Sequence, residues 1–312
     1  MLVYVVKRLL GGIPVLLVVI TATFFLVRLA PGGPFDTEKA IPEEILKNLN
    51  ARYHLDEPVY QQFWGYLTHL VVFDFGPSFK FPDRTVTELI KTGMPVTFEL
   101  GLYAILFSII VGVVSGVTAS SRPNSLRDYI PMSLSMFGIC MPSFLLGPLL
   151  VLVFALYLGW FPVSGWESMS HKVLPSMTLG SAYAAYISRL SRSGMLEVMS
   201  QDYIRTARAK GVPEFWVVVR HALKGGLMPV ISFLGPAAAG LLAGSFVVET
   251  IFQIPGLGRF YVQAAFNRDY TMIMGTTVFL SALIIFFNIA SDVALVALNP
   301  RLKYGNEEAL DG

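Results

Sequence analysis

The sequence predicts an all-α integral membrane protein with six transmembrane helices, and three observations carry that prediction. Apolar residues make up 54% of the 312 and charged residues only 14%, a balance that no single water-soluble core of this length needs. The apolar residues fall in six charge-free blocks, most of them close to the roughly 20 residues that a helix needs to cross a hydrocarbon layer of about 30 Å. Lysine and arginine, finally, collect on alternate connections between those blocks, as the positive-inside rule describes.

The first block covers residues 9–27. Lys7 and Arg8 stand directly before it and no small-residue cleavage site follows, so it reads as a retained signal-anchor with its N-terminus in the cytoplasm. It ends at Arg28-Leu-Ala-Pro31-Gly-Gly-Pro34, where Pro and Gly stop the helix and Arg28 can reach toward the headgroups. The polar stretch that follows is expected outside. It holds a helical pattern over residues 41–54. A second helix opens at Pro58, capped by Asp56, with Tyr60, Phe63, Trp64, Leu67 and Val71 on its apolar stripe. A turn at residues 74–79 leads to a third short helix, opened by a capping box at Thr85 and Glu88 and closed near Gly93-Met-Pro95.

The second block, residues 100–121, carries Gly112 and Gly116 at a spacing that lets helix backbones approach closely. The third lies within 129–166, the fourth is 173–188, the fifth 225–248 and the sixth 270–291. Each reads as a single helix, because lipid offers an exposed backbone no hydrogen-bond partner. The fifth is rich in Gly, Ala and Pro and repeats the small-residue spacing at Gly240 and Gly244. Close packing is the plain reading of it, and a kinkable gate helix the sharper one.

With six spans, Lys7, Arg8, Arg122, Arg127, Arg189, Arg192, Arg205, Arg208, Lys210, Arg220, Lys224, Arg301 and Lys303 fall on one side. The short loops opposite hold Lys172, Arg259 and Arg268. Both termini are therefore expected in the cytoplasm. The net charge of +2 is a topology effect, and no soluble domain groups basic and aromatic residues for nucleic acid. Among ionisable residues near the spans, Glu99 and Glu249 sit at outer ends, while Asp292 lies deeper with Asn288 one turn before it. That pair reads as a bond to a neighbouring helix or subunit, with ion conduction as the alternative. Cys140 is the single cysteine and reads as a small packing residue in the third block.

Several chemistries are excluded. No Gly-Lys pair occurs, so a P-loop that cradles nucleotide phosphates is absent and no catalytic residue of that kind can be named. His54, His69, His171 and His221 have no ligand spacing, and neither a His-Glu-x-x-His nor a Gly-x-Ser-x-Gly motif is present, so no metal or cofactor site is expected. A multi-span chain without a motor is most simply a pathway driven from elsewhere.

Residues 202–229 are the long charged segment between closely spaced blocks. Two short helical patterns flank Lys210-Gly211-Val212-Pro213, where Gly supplies a left-handed stop and Pro the first residue of the next helix. The stretch Asp202-Tyr-Ile-Arg-Thr-Ala-Arg-Ala-Lys-Gly211, followed by His221-Ala-Leu, resembles the cytoplasmic EAA loop of ATP-binding-cassette importer permeases of the dipeptide and oligopeptide branch. Arg28-Leu-Ala-Pro-Gly32, Asp74-Phe-Gly-Pro-Ser78 and Glu249-Thr-Ile-Phe-Gln-Ile-Pro-Gly-Leu-Gly258 resemble their counterparts in that branch, so the likeness covers nearly the whole chain.

The resemblance implies a type I importer fold in a bacterial inner membrane. It implies a homologous second permease subunit, two ATPase subunits that bind ATP and Mg, and an extracytoplasmic peptide-binding protein. It divides the chain into an N-terminal span (1–30), an outer helical segment (31–94), a five-helix transmembrane domain (95–300) and a cytoplasmic tail (301–312). Asp202, Tyr203, Arg205, Ala207, Arg208, Lys210 and Gly211 are the expected ATPase-coupling residues. Ala207 and Gly211 match the small positions of the motif, whereas Arg205 stands where the general motif has Glu. Arg205, Arg208 and Lys210 are then expected to meet carboxylates of the partner, beside an apolar face of Tyr203, Ile204 and Ala207. Gly240, Gly244, Glu249, Asn288 and Asp292 are gate or packing candidates. Dipeptides, nickel chelates and other small solutes are alternative cargoes. A gradient-driven carrier using Asp292 and Glu249, or an assembly scaffold, is the reading from a different class.

Overall fold

A computed structural model describes residues 2–29, 33–35, 47, 50, 51, 55–81 and 84–298. Among these the regular structure is helical: α1 (Leu2–Leu29), α2 (Val59–Val71), α3 (Val86–Ser121), α4 (Leu126–Cys140), α5 (Ser143–Tyr157), α6 (Met169–Met199), α7 (Asp202–Ala209), α8 (Glu214–Gly226), α9 (Met228–Leu242), α10 (Phe246–Ile251), α11 (Leu257–Asn267) and α12 (Tyr270–Leu298). Three helices among the described residues are long and apolar enough to cross a membrane. The number rises to five if the bent pairs α4–α5 and α8–α9 each count as one.

Those bends correct the expectation of one helix per block. The third block turns by 116° between α4 and α5, and the fifth by 53° between α8 and α9. Pro142 accounts for the first. It has no N–H and crowds the residue before it, so Met141 is extended at φ −97°, ψ 118° and α5 begins afresh. The fifth block also ends early. Gly244 has φ +80° and closes α9 instead of lining a helix face. The opposite error occurs at Pro95, where a separate short helix was expected to stop. The chain runs through it as one 36-residue helix, α3, and the Thr85–Glu88 box opens that helix as predicted, with reciprocal 3.2 Å bonds.

The chain divides into two compact units. One comprises residues 2–97 and 255–283. Its core gathers Ile20, Phe75, Val86, Leu89, Leu257 and Met272 from α1, the 74–81 turn, α3, α11 and α12. On α2, Phe63, Tyr66, Leu67 and Leu70 pack against that core, whereas Tyr60, Trp64 and Val71, expected on the same stripe, are exposed. Pro58, not Asp56, occupies the cap position of α2, with no side-chain bond. Arg28 does not reach outward. Its Nη1 donates to the Phe24 carbonyl at 3.2 Å, and Nη2 and Nε donate to Gln62 Oε1 at 2.9 and 3.3 Å.

The 74–81 turn is fastened to the start of α12 by Asp269, which is fully buried. Its Oδ1 accepts from Phe79 N (3.2 Å), Thr271 Oγ1 (3.0 Å) and Met272 N (3.1 Å). Its Oδ2 accepts from Ser78 Oγ and from Lys80 N. The helical pattern expected over 41–54 lies for the most part outside the described residues.

The other unit comprises residues 98–254 and 284–312, with Met1. Helix α6 is central to it, packing on α4, α5, α8 and α9. The glycine spacing on α3 does what the sequence implies. A Cβ on Gly112 would lie 2.6 Å from Ile187 Cγ2, and one on Gly116 would lie 2.5 Å from the Ser188 carbonyl oxygen. Only hydrogen lets these backbones cross so closely. Gly240 likewise meets the Tyr183 hydroxyl. Cys140, expected to pack inside, is exposed at the end of α4.

Two ion pairs mark the ends of α6. Lys172 pairs with Glu99, which also accepts from Trp166 Nε1 at 3.0 Å, and the ammonium lies 5.3 Å from the Trp166 ring and 5.5 Å from the Tyr103 ring. At the opposite end Arg192 grips Asp128 with Nε and Nη2, both at 2.6 Å, and Asn124 N adds a 3.0 Å bond. Arg192, expected only to obey the positive-inside rule, is therefore also a structural clamp on α4.

Candidate functional site

The segment from α7 through α8 folds as two arms at a tight corner. Residue 211 has φ +78° with open space around it, a backbone state that glycine adopts at little cost. Pro213 then takes the cap position of α8, one place earlier than expected. After Trp216 the helix widens into a π-helical stretch, Val217–Ala222, before returning to α.

The corner is braced from within. Ile204 (0% exposed) and Ala207 (6%) point inward onto Val217 and Ala222 of α8 and Met195 of α6. Burying Ile204 alone is worth about 2 to 3 kcal/mol where water is the alternative. Tyr203 crosses the same gap, its hydroxyl 3.5 Å from the His221 carbonyl and 3.7 Å from the place a Cβ on Gly225 would take. The expected apolar face of Tyr203, Ile204 and Ala207 is thus divided. Tyr203 is about half exposed, and the other two are internal.

The cations are divided as well. Arg208 forms a two-pronged bond to Glu214 across the corner, at 2.7 and 3.1 Å. That bond holds the Glu214 carboxyl below the ordinary carboxylate range and raises the Arg208 guanidinium. Arg205 lies 3.4 Å from Asp202, with both side chains largely exposed, so that contact holds neither firmly. Lys210 and Gly211 are exposed at the tip.

Phe215 and Trp216, at the start of the second arm, are exposed, at 68% and 52%, and meet edge to face at 5.4 Å. The signal was in the spacing: Val217, Ala222 and Gly226 are the buried positions of α8, and residues 215, 216 and 219 fall on other faces. Lys210, Pro213, Trp216 and Arg220 line an open concavity of about 480 Å³. The arrangement can offer a stiff corner with aromatic and cationic groups outward.

The remaining candidates do not converge on one place. Gly240 is on α9 and Gly244 at its end. Glu249 was expected at an interfacial position. Its side chain is fully buried on α10, whose first turn is capped by Ser245 Oγ accepting from Val248 N at 3.3 Å. Asn288 is exposed and Asp292 half-buried on α12, and Ser291 between them packs against Gly235. Among the described residues no group of three or more His, Cys, Asp or Glu could hold a metal ion.

Comparison with known proteins adds a second line of information. Residues 104–304 match the family "Binding-protein-dependent transport system inner membrane component", and residues 1–101 match the N-terminal membrane component of binding-protein-dependent transport systems. The chain is 45% identical over 306 residues to an oligopeptide transport system permease protein of Haemophilus influenzae, covering 97% of this chain and all of that one. It is 47% identical over 300 residues to a dipeptide transport system permease protein of Bacillus subtilis, covering 96% and 97% of the two chains. Among solved structures, the MetNI methionine ABC transporter in an inward-facing conformation is similar with a TM-score of 0.53 at 19% identity, over 68% of this chain and 97% of that one. That likeness concerns the fold.

Proposed function

Because the chain belongs to the binding-protein-dependent transport system inner membrane component family, we propose that it is the membrane-spanning subunit of an ATP-driven peptide importer. The cargo follows the names of its relatives, oligopeptide and dipeptide permeases. In this reading it shares the pathway with a homologous second permease. Two ATPase subunits bind ATP and Mg below, and an extracytoplasmic binding protein delivers peptide. The outer segment is 31–94 and the transmembrane domain 95–300.

Six spans follow if α6 is added to the five of the apolar count. At 31 residues it is about 46 Å long, more than a bilayer core requires. It is less apolar because its neighbours, not lipid, cover it, with Leu174, Ala184, Ile187, Ser188 and Gly194 all buried. The two ion pairs support this topology. Glu99 and Lys172 belong to one end of α6, Asp128 and Arg192 to the other, as alternating spans with both termini cytoplasmic require.

The observation that carries the coupling role is the braced corner. A lever transmits displacement only if it does not flex, and Ile204 and Ala207 fix α7 to α8 while Tyr203, Arg205, Lys210, Phe215 and Trp216 stay outward. ATP-driven closure of the partner subunits would move the corner, and through α8 and α9 the membrane helices. Burial of Ala207 makes Ala207→Glu a test of the brace. Arg205→Glu and Phe215→Ala test the docking face, and Gly211→Pro tests the turn, since Pro cannot adopt φ +78°. The expected result is a subunit that inserts normally, no longer co-purifies with the ATPase when Arg205 or Phe215 is changed, and supports no peptide uptake. Normal uptake by both Gly211→Pro and Phe215→Ala would sink the lever.

A further inference from the structure

Within the unit formed by residues 2–97 and 255–283, a cavity of about 510 Å³ opens beside Arg28. Its size falls in the range of small-ligand pockets. Among the described residues, each contact of the guanidinium is to a neutral group: Gln62 Oε1, the Phe24 carbonyl, Met274 Sδ at 3.7 Å, and the Phe24 ring, whose centroid is 3.5 Å away. The Gln62 amide is itself fixed, because its Nε2 donates to the carbonyls of Leu55 and Glu57 at 3.2 and 2.8 Å. Gln62 therefore orients Arg28 without neutralising it. Of five guanidinium N–H groups, one on Nη2 is uncommitted and one on Nη1 meets only the weakly accepting sulfur.

Tyr66 lines the same cavity, and its hydroxyl is buried with no hydrogen-bond partner. A buried unpaired hydroxyl is destabilising, and a desolvated cation without a counter-charge more so. Burial raises the Tyr66 phenol above its ordinary value, so it remains a proton donor at neutral pH. Two donors are thus held at one cavity, the Tyr66 hydroxyl unpaired and the guanidinium met by neutral groups, among the described residues. Glu57 and His69 also line it, both exposed, and His69 Nδ1 is 3.4 Å from Asp74 Oδ2.

We propose that this cavity binds an oxyanion, a carboxylate or phosphate group that accepts from the Arg28 guanidinium and the Tyr66 hydroxyl together. Arg28 supplies charge and a planar fork, the geometry that matches such groups. Tyr66 supplies a directional second bond, and Phe79 and Met274 the apolar wall. Two sources present that chemistry, the terminal carboxylate of a short peptide and the phosphate of an anionic lipid headgroup. The inference rests on this unit's own geometry and stands or falls apart from the transport reading.

The test uses the full-length chain in phosphatidylcholine nanodiscs. Tri-alanine with a free carboxylate and its C-terminal amide are titrated by calorimetry, and retention of phosphatidylglycerol is counted by native mass spectrometry after doping it into the discs. Saturable binding of the free acid but not the amide assigns a peptide carboxylate. Selective retention of phosphatidylglycerol assigns a lipid phosphate. In either case Arg28→Gln weakens binding at least tenfold and Tyr66→Phe, which keeps the packing, three- to tenfold, with Arg28→Lys intermediate. Equal binding of acid and amide, together with phosphatidylglycerol retention unchanged by Arg28→Gln and Tyr66→Phe, overturns the proposal.

Discussion

Asp269 offers a perturbation whose cost can be worked out atom by atom. Replacement by Ala leaves two rigid donors, Phe79 N and Met272 N, without their carboxylate partner. At about 1 to 3 kcal/mol for each unpaired donor, the second of which is also the cap of α12, the expected loss is about 3 kcal/mol. Asn behaves differently. Its carbonyl can take the Oδ1 place, where Phe79, Thr271 and Met272 converge, and its amide can take the Oδ2 place. There the Ser78 hydroxyl, whose oxygen already accepts from Lys80 N and Phe81 N, loses its acceptor, and the 3.4 Å contact from Lys80 N is lost with it. Asp269→Asn should therefore cost about 1 kcal/mol. The assay is tryptic cleavage after Lys80 in membrane vesicles, which tracks the population of the opened turn when reclosing is fast. A loss of about 3 kcal/mol means roughly a hundredfold faster cleavage for Asp269→Ala, and about 1 kcal/mol roughly fivefold for Asp269→Asn. Equal cleavage of the two variants, or an Ala variant within threefold of wild type, would refute the reasoning.

Asp128→Ala strands a guanidinium that is about a third exposed, so its cost should lie near 2 kcal/mol, below the range for fully buried pairs. The double variant with Arg192→Met should melt well above the sum of the single losses, and strict additivity would exclude a clamp. Gly116→Ala forces a Cβ against Ser191 and the Ser188 carbonyl and should lower thermal stability by about 1 to 3 kcal/mol. Gly65→Ala on α2, where nothing lies within 4 Å, should raise it by about 0.5 to 1 kcal/mol. For Glu214, a carboxyl depressed by Arg208 stabilises above its unfolded value and loses that contribution as pH falls through the folded one. With both partners exposed the effect stays below about 1 kcal/mol, and Glu214→Gln should abolish it in melts compared between pH 7 and pH 3.

What was legible in the chain was what a short window encodes. The Thr85–Glu88 box and the left-handed turn at Gly211 depend on neighbours within four residues, and the Gly112–Gly116 spacing signals a close crossing without naming its partners, Ile187 and Ser188; each formed as read. Prolines were harder. Pro95, Pro131, Pro148, Pro175 and Pro236 all lie inside continuous helices, whereas Pro142 ends one. The ring is the same in every case, and only surrounding packing decides whether the lost bond is tolerated. Two tight polar contacts were illegible for a related reason. Asp128 and Arg192 are 64 residues apart, and Ser78 and Asp269 are 191 apart. At the corner between α7 and α8 the bend was legible and the directions of its side chains were not, because a helix of eight residues has too few turns to declare its buried face.

The widened stretch Val217–Ala222 gives the chain an allowance in reading frame. Val217 and Ala222 stand five positions apart and both face the same buried cluster, a spacing that a π turn brings into line and an α turn does not. Removing one residue between them would convert the stretch to ordinary α-helix and leave the two flanking segments facing as before. A deletion in α7 would instead rotate everything after it by about 100°. The second arm of the corner is a place where this sequence can shorten by one without unthreading its fold.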